Sequence, residues 1–295
     1  MDFLQPTSWA DALAVKADQP DAVPLAGGTD LMVELNFDAR RPATILDLTR
    51  IDELDEWTIS DGVVRLGAGV SYSRVIRELG AMLPGLAMAA RTVGSPQIRN
   101  RGTVGGNLGT ASPAGDAHPP LLAAGAVIEA GSVTGTRLID AEHFYTGPKR
   151  NALQPGELVA AVRIPLPTGP EQFSKIGTRN AMVIAVAAFS LALRPGEREV
   201  RTGIGSAAPT PRRAAQAERF LAAALADAGL WESRGDLPGA VLAEFGSLVA
   251  AAADPIDDVR GSAAYRRHAL AVLARRTLAW SWRDYQDGQA AANGA

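Results

Sequence analysis

A chain of 295 residues, 47% hydrophobic and 21% charged, has the length for about two domains with ordinary cores. Its net charge of −3 and pI near 5.7 leave no basic excess for counterion release, which argues against nucleic-acid binding. No run approaches the roughly 18 consecutive apolar residues of a membrane span, and Met1–Pro6 lacks the basic region and apolar run of an export signal, so a cytoplasmic protein without membrane insertion is expected.

Cysteine is absent, which excludes disulfides, a thiolate zinc site, a cysteine-ligated iron–sulfur cluster, a cysteine nucleophile and a cysteinyl-linked flavin. The three histidines, His118, His143 and His268, are scattered without metal-ligand spacing. Redox chemistry here requires a bound organic cofactor.

In chain order, Ser8 with Asp11 three residues later predicts a capped helix that ends near Asp18-Gln19-Pro20. Val23–Ala26 reads as a short strand broken at Gly27-Gly28, Leu31–Leu35 as the start of a helix, and Thr44–Leu48 as another strand. Trp57–Ser60 and Val63–Leu66 form a predicted hairpin about Asp61-Gly62. Ser71 caps a helix through Val75 and Leu79. Leu121–Ala130 is apolar, and two readings stand: a helix followed by a strand, or one buried element. Glu157–Pro165 reads as a strand, and Ile164–Pro170 as the linker carrying the domain boundary. Beyond it, Met182–Leu193 and Thr202–Ser206 read as strands. Thr210-Pro211 reads as the cap and first-turn proline of an alanine-rich helix reaching about Ala228. Gly261–Trp282 reads as a long helix with Arg266, Arg267, Arg275 and Arg276 on its polar side. The tail, 287–295, is expected to be disordered.

Two glycine-rich segments carry the chemistry. In Pro24-Leu25-Ala26-Gly27-Gly28-Thr29-Asp30-Leu31 the glycines permit positive φ and remove the Cβ atoms that would hold a ligand off the backbone. Consecutive N–H groups in such a turn make an anion-binding concavity, the Thr29 hydroxyl adds a donor, and the helix that follows adds its dipole. Taken alone, an ordinary Gly-Gly turn explains the segment as well. Gly102-Thr103-Val104-Gly105-Gly106-Asn107-Leu108-Gly109 repeats the chemistry, with Thr103 and Asn107 as side-chain donors. Two such segments together point to a diphosphate ligand.

Gly67-Ala68-Gly69 also follows a strand and precedes a helix, but Tyr72 holds the place of the third glycine of a dinucleotide fingerprint, so it reads as a strand-end turn. Gly203-Ile204-Gly205-Ser206 has the same defect, and no Walker sequence is present. Arg99 and Arg101 read either as phosphate contacts or as surface ion pairs. Asp116 reads either as an acceptor for ribityl or ribose hydroxyls or as the N-cap of the next element. His118 reads as a packing or surface residue, and no Ser, His and Asp combine into a plausible triad.

Taken together, Ala26–Leu31, Gly94-Ser95-Pro96-Gln97-Ile98-Arg99-Asn100-Arg101-Gly102-Thr103-Val104-Gly105-Gly106-Asn107 and Ser112-Pro113-Ala114-Gly115-Asp116 resemble the FAD-binding medium subunit of molybdenum hydroxylases, the family of xanthine and carbon monoxide dehydrogenases. Pro255–Arg266 resembles that family's last domain, and the likeness runs from Phe3 to about Leu278.

The resemblance implies an α+β protein. A two-subdomain FAD-binding fold of the vanillyl-alcohol oxidase type would occupy 1–168, split at about 55, and an α+β C-terminal domain 169–286. It implies that Pro24–Leu31 and Thr103–Asn107 hold the FAD pyrophosphate. Asp116, Val93, Val159 and Lys175 match further positions close to the cofactor. FAD should be non-covalent, since no cysteine is present and neither glycine segment contains a histidine. Molybdopterin would sit in a large partner subunit and two [2Fe-2S] clusters in a small one, in a dimer of heterotrimers. The chain would then relay electrons and needs no catalytic side chain of its own. A stand-alone FAD oxidase and a cofactor-less scaffold are the competing functions.

Overall fold

The computed structural model describes residues 1–288. Most of the expected tail, from 289 on, lies outside the described residues. The chain packs as two compact units, residues 1–75, 95–112 and 126–165 in the first, and 76–94, 113–125 and 166 onward in the second.

The first unit holds two sheets. Strands β1 (Asp2–Leu4), β2 (Val23–Leu25) and β3 (Thr44–Asp47) form a parallel sheet in the order β1-β3-β2. Parallel pairing needs crossovers, which the helices Trp9–Asp18 and Leu31–Asn36 supply. Ser8 caps the first as expected: its Oγ accepts from Asp11 N–H and donates to the Asp11 carboxylate. The second helix has only six residues and rests on a small core of Val23, Leu31, Leu35 and Ile45.

Strands β4 (Trp57–Ser60), β5 (Val63–Gly67), β6 (Val127–Ser132) and β7 (Gly135–Asp140) join β10 (Leu158–Pro165) in an antiparallel sheet ordered β4-β5-β10-β6-β7. The β4–β5 turn has positive φ at both Asp61 and Gly62, the conformation that matches hairpin twist. The short pair β8 (Tyr145–Gly147) and β9 (Arg150–Asn151) stands apart from this sheet. The apolar run from Leu121 resolves as helix then strand: helix His118–Ala124 stops at left-handed Gly125, and β6 follows.

In the second unit, β11 (Glu171–Ile176), β12 (Ala187–Arg194) and β13 (Glu199–Gly205) form an antiparallel sheet in sequence order. Side chains alternate across it. Ala187, Phe189, Leu191 and Leu193 enter a core with the helices Ala215–Asp227, Gly239–Ala251 and Ala263–Gln286. Ala188 and Phe173 face Ala89 of the helix Pro84–Thr92. No helix among the described residues is long and apolar enough to cross a membrane.

Three elements differ from their expected form. The strand expected from Met182 begins at Ala187, because Met182 and Ile184 are exposed and Met182 has left-handed backbone. The alanine-rich helix starts at Ala215, not after Thr210-Pro211: Arg212 is bridged to Ile204, and Thr202 Oγ1 on β13 takes the Ala214 N–H. Arg266 is not on a polar face. It is 2% exposed and donates to the carbonyls of Val186 and Ser206 and to Asp258.

Candidate functional site

The first unit contains a cleft of about 630 Å³, within the 300–1,000 Å³ typical of small-molecule sites. Its walls come from segments far apart in sequence. Pro24, Ala26, Gly27, Asp30 and Leu31 line it from the first glycine segment, Thr103, Gly105 and Gly106 from the second, and Val159 from β10.

Close backbone packing brings the two glycine segments together. A Cβ on Gly27 would lie 1.8 Å from the Arg101 carbonyl oxygen, and one on Gly105 would lie 2.5 Å from the Cβ and carbonyl oxygen of Ala68. Neither position has room for a side chain. Gly27 therefore seats the first turn on the entry to the second, and Gly105 seats the second on the end of β5. Gly28 adds the left-handed φ of +73° expected of an anion-binding turn.

The second segment is less of a loop than its composition suggests. Thr103 is the N-cap of a helix, Val104–Thr110, and its Oγ1 accepts from Gly106 N–H at 2.8 Å. The preceding Pro96–Arg101 is also helical, capped by Ser95. Capping outcompetes glycine's poor helix propensity here because the missing Cβ atoms allow the packing just described. The initial N–H groups of a helix have no acceptor within it. A hydroxyl that already accepts still has a proton to donate. The cleft wall thus holds backbone donors, a hydroxyl and a basic residue, Arg101, a set suited to a diphosphate.

Leu25, Gly28, Thr29, Val104 and Asn107 belong to the same turns without lining the cleft themselves. The buried Asn107 Oδ1 has no donor within the described residues. Buried acceptors of this kind are uncommon and call for a ligand or water.

Gly67-Ala68-Gly69 is a strand-end turn, as expected, yet Ala68, Gly69 and Ser71 line the cleft. Ala68 N–H donates to Ala160 O, inside the β10 irregularity beside Val159. A glycine followed by a capping serine after a strand is the signal that could have found them. Glu34, Arg40 and Lys149 also line the cleft and carry no such signal, because each reads locally as an ordinary surface charge.

Val93, Asp116 and Lys175 belong to the second unit. Lys175 Nζ donates to Asp116 Oδ2 at 2.6 Å and to the Thr92 carbonyl at 3.2 Å, next to Val93. Asp116 does not cap a helix, since the N-cap position of His118–Ala124 is Ala117. Burial pushes the Asp116 carboxyl above its ordinary range against the pull of the Lys175 ammonium. Asp116 Oδ1 is buried without a donor among the described residues, a second orphaned acceptor. His118 is fully buried at the start of its helix.

Comparison with known proteins places this geometry. Residues 1–167 match the FAD binding domain in molybdopterin dehydrogenase, and residues 173–281 match the CO dehydrogenase flavoprotein C-terminal domain. The xanthine dehydrogenase FAD-binding subunit of Escherichia coli O157:H7 is 34% identical over 220 residues, 71% of this chain and 75% of that one. The 6-hydroxypseudooxynicotine dehydrogenase complex subunit alpha of Paenarthrobacter nicotinovorans is 32% identical over 286 residues, covering 94% and 93%. A solved Cu,Mo-CO dehydrogenase, in its cyanide-inactivated form, superimposes with a TM-score of 0.87 at 29% identity over 96% of this chain and 98% of that one. With a family domain spanning more than half its length, the chain belongs to the FAD-binding subunits of the molybdopterin dehydrogenases.

Proposed function

We propose that this chain is the electron-transfer subunit of a three-subunit molybdenum hydroxylase. It takes electrons from [2Fe-2S] clusters in a small partner subunit and delivers them to an external acceptor, while substrate is oxidised in a large molybdopterin subunit. One observation carries the reading: Gly27 seated on the Arg101–Gly102 backbone, which turns two separate glycine segments into one donor-lined wall.

Within it, Ala26–Leu31 and Thr103–Asn107 hold the FAD pyrophosphate through backbone N–H groups and the Thr103 hydroxyl. The cofactor is bound non-covalently. Bound FAD supplies the redox chemistry that the side chains lack. Val159 presents an apolar surface to it. Asp116, Lys175 and Val93 are assigned to the cofactor by family likeness alone. The relay role agrees with relatives that are named as subunits or medium chains of dehydrogenases.

The test uses the full-length chain. The wild type should take up FAD stoichiometrically and show no turnover of small molecules by itself. Its flavin should be reduced only when the large and small subunits and a substrate of the large subunit are present. Gly106→Leu should lose FAD while keeping the apo-protein's melting temperature within a few degrees. Full flavin content in that variant, or turnover by the isolated chain, overturns the reading.

A further inference from the structure

The two helices that open onto the cleft, Leu31–Asn36 and Val104–Thr110, differ in how they are held. The second is capped at Thr103 and packed under β10. The first has six residues, no side-chain cap, exposed Met32 and Val33, and a core of only a few side chains. A helix of that length is marginal without outside support.

The support comes from the hairpin β8–β9. Its base is fixed. Phe144 is fully buried, Tyr145 meets it edge-to-face at 5.4 Å, and Ala152 N–H donates to Phe144 O. Its tip and returning strand grip the end of the Val104–Thr110 helix: Lys149 N–H donates to Ala111 O at 3.1 Å, and Asn151 Nδ2 to Gly109 O at 3.0 Å. At its tip, Lys149 has a left-handed φ of 55°, rare for a residue with a side chain. From there its Nζ reaches Glu34 Oε1 on the other helix at 2.6 Å, across 115 residues of sequence. Arg40 stands 3.8 Å from the other Glu34 oxygen. The pairing shows in both groups: the Lys149 hydrogen bond holds the Glu34 carboxyl below its ordinary range, and Glu34 holds the Lys149 ammonium above its own. Glu34, Arg40, Lys149 and Asn151 all line the cleft.

We propose that this hairpin is a strap fixing the spacing of the two glycine segments, with the Lys149–Glu34 pair as its detachable end, and that Lys149 is a positioning residue for FAD retention. The inference rests on the reading of the cleft as the FAD site. Lys149 acts through Glu34 and the helix Leu31–Asn36, so its loss loosens the first glycine segment without removing a donor from the diphosphate. Both partners are partly exposed, with side-chain exposures of 55% and 23%, so the contribution is modest and sensitive to salt.

The test measures FAD release from the full-length FAD-loaded chain by stopped flow against excess apo-acceptor, at low and high salt. Lys149→Met and Glu34→Gln should each speed release about three- to fivefold at low salt, the upper range for an exposed ion pair. The double variant should be no faster than either single one, and Lys149→Arg should stay near the wild type. At about 1 M salt the difference between Lys149→Met and the wild type should close. Melting of the apo-proteins should fall by no more than about 4 °C, the shift expected of ~1 kcal/mol, which separates retention from unfolding. Unchanged release in both single variants, or effects that add in the double variant, overturns the strap. If Gly106→Leu loses FAD while these variants do not, the strap fails and the cleft assignment stands. If Gly106→Leu keeps FAD, the cleft assignment itself has failed.

Discussion

Two glycine clusters in this chain look alike in sequence and end differently. Gly203-Ile204-Gly205 in the second unit lies on β13, where a Cβ on Gly203 would sit 2.0 Å from the Pro119 carbonyl oxygen. The absent side chain lets helix His118–Ala124 press onto the sheet, and the space is filled. Gly27-Gly28 in the first unit also exists for close approach, but there a turn meets the junction between two short helices, Pro96–Arg101 and Val104–Thr110. A turn seated on a helix junction cannot tile a surface as a helix does a strand, and the cleft borders that contact. A dense run of glycine thus reports tight backbone contact. Whether it also reports a ligand depends on what the glycine meets.

The largest expected effect breaks the two clusters apart. Gly27→Ala and Gly203→Ala each force a methyl group into a carbonyl, and each should destabilise its protein by about 4 kcal/mol or more, the range of severe core lesions. Their flavin readouts should differ. Gly27→Ala should lose FAD even in the fraction that stays folded, because the two diphosphate segments are pushed apart. Gly203→Ala should keep FAD in its folded fraction at wild-type affinity. Thermal melting combined with flavin fluorescence separates the two. Equal loss of FAD in both would show that Gly27 has no special relation to the cofactor.

This contrast also marks what sequence makes legible. Signals that act within a few residues were readable: the Ser8 cap, the Asp61-Gly62 turn and the strand of Val23–Leu25. The glycine segments and the Gln97–Asn107 run identified the family and both halves of the cleft wall. Signals that act across the chain were not readable. Thr202 caps a helix from a neighbouring strand, which displaced the start expected at Thr210. Arg266 reads as a surface charge until Val186, Ser206 and Asp258 are seen around it. The apolar stretch from Met182 misled for a different reason, because hydrophobicity there stays exposed. Lys149 meeting Glu34 belongs with the long-range group.

A second difference between the units lies in how two of their carboxylates are held. Glu34 in the first is held below its ordinary range by a cation. In the second, burial pushes Glu171 up to about 7, against the opposing pull of the Gly85 N–H and Arg194. The folded protein therefore holds a proton on Glu171 that the unfolded chain, at its ordinary value of 4.5, gives up earlier. Stability from this group is complete below pH 4.5 and falls as pH rises towards 7, by at most about 3 kcal/mol. Glu171→Gln should flatten that part of the pH–stability curve and leave FAD release unchanged at constant pH. A curve of the same slope in the variant would place the titrating group elsewhere.

The smallest expected effect returns to the glycines. Gly109 lines the cleft at the last turn of the Val104–Thr110 helix, and a Cβ there would meet nothing within 4 Å. Gly109→Ala should therefore stabilise the first unit by about 0.5–1 kcal/mol, the ordinary gain from removing glycine's unfolded-state freedom within a helix. The donors proposed for the diphosphate stand at the other end of that helix, so FAD retention should be unchanged. A stabilised variant that releases FAD faster would show the cofactor running along the helix past its first turn. Among the glycines of this wall, Gly27 and Gly105 are required by backbone packing, while no protein atom presses on Gly109.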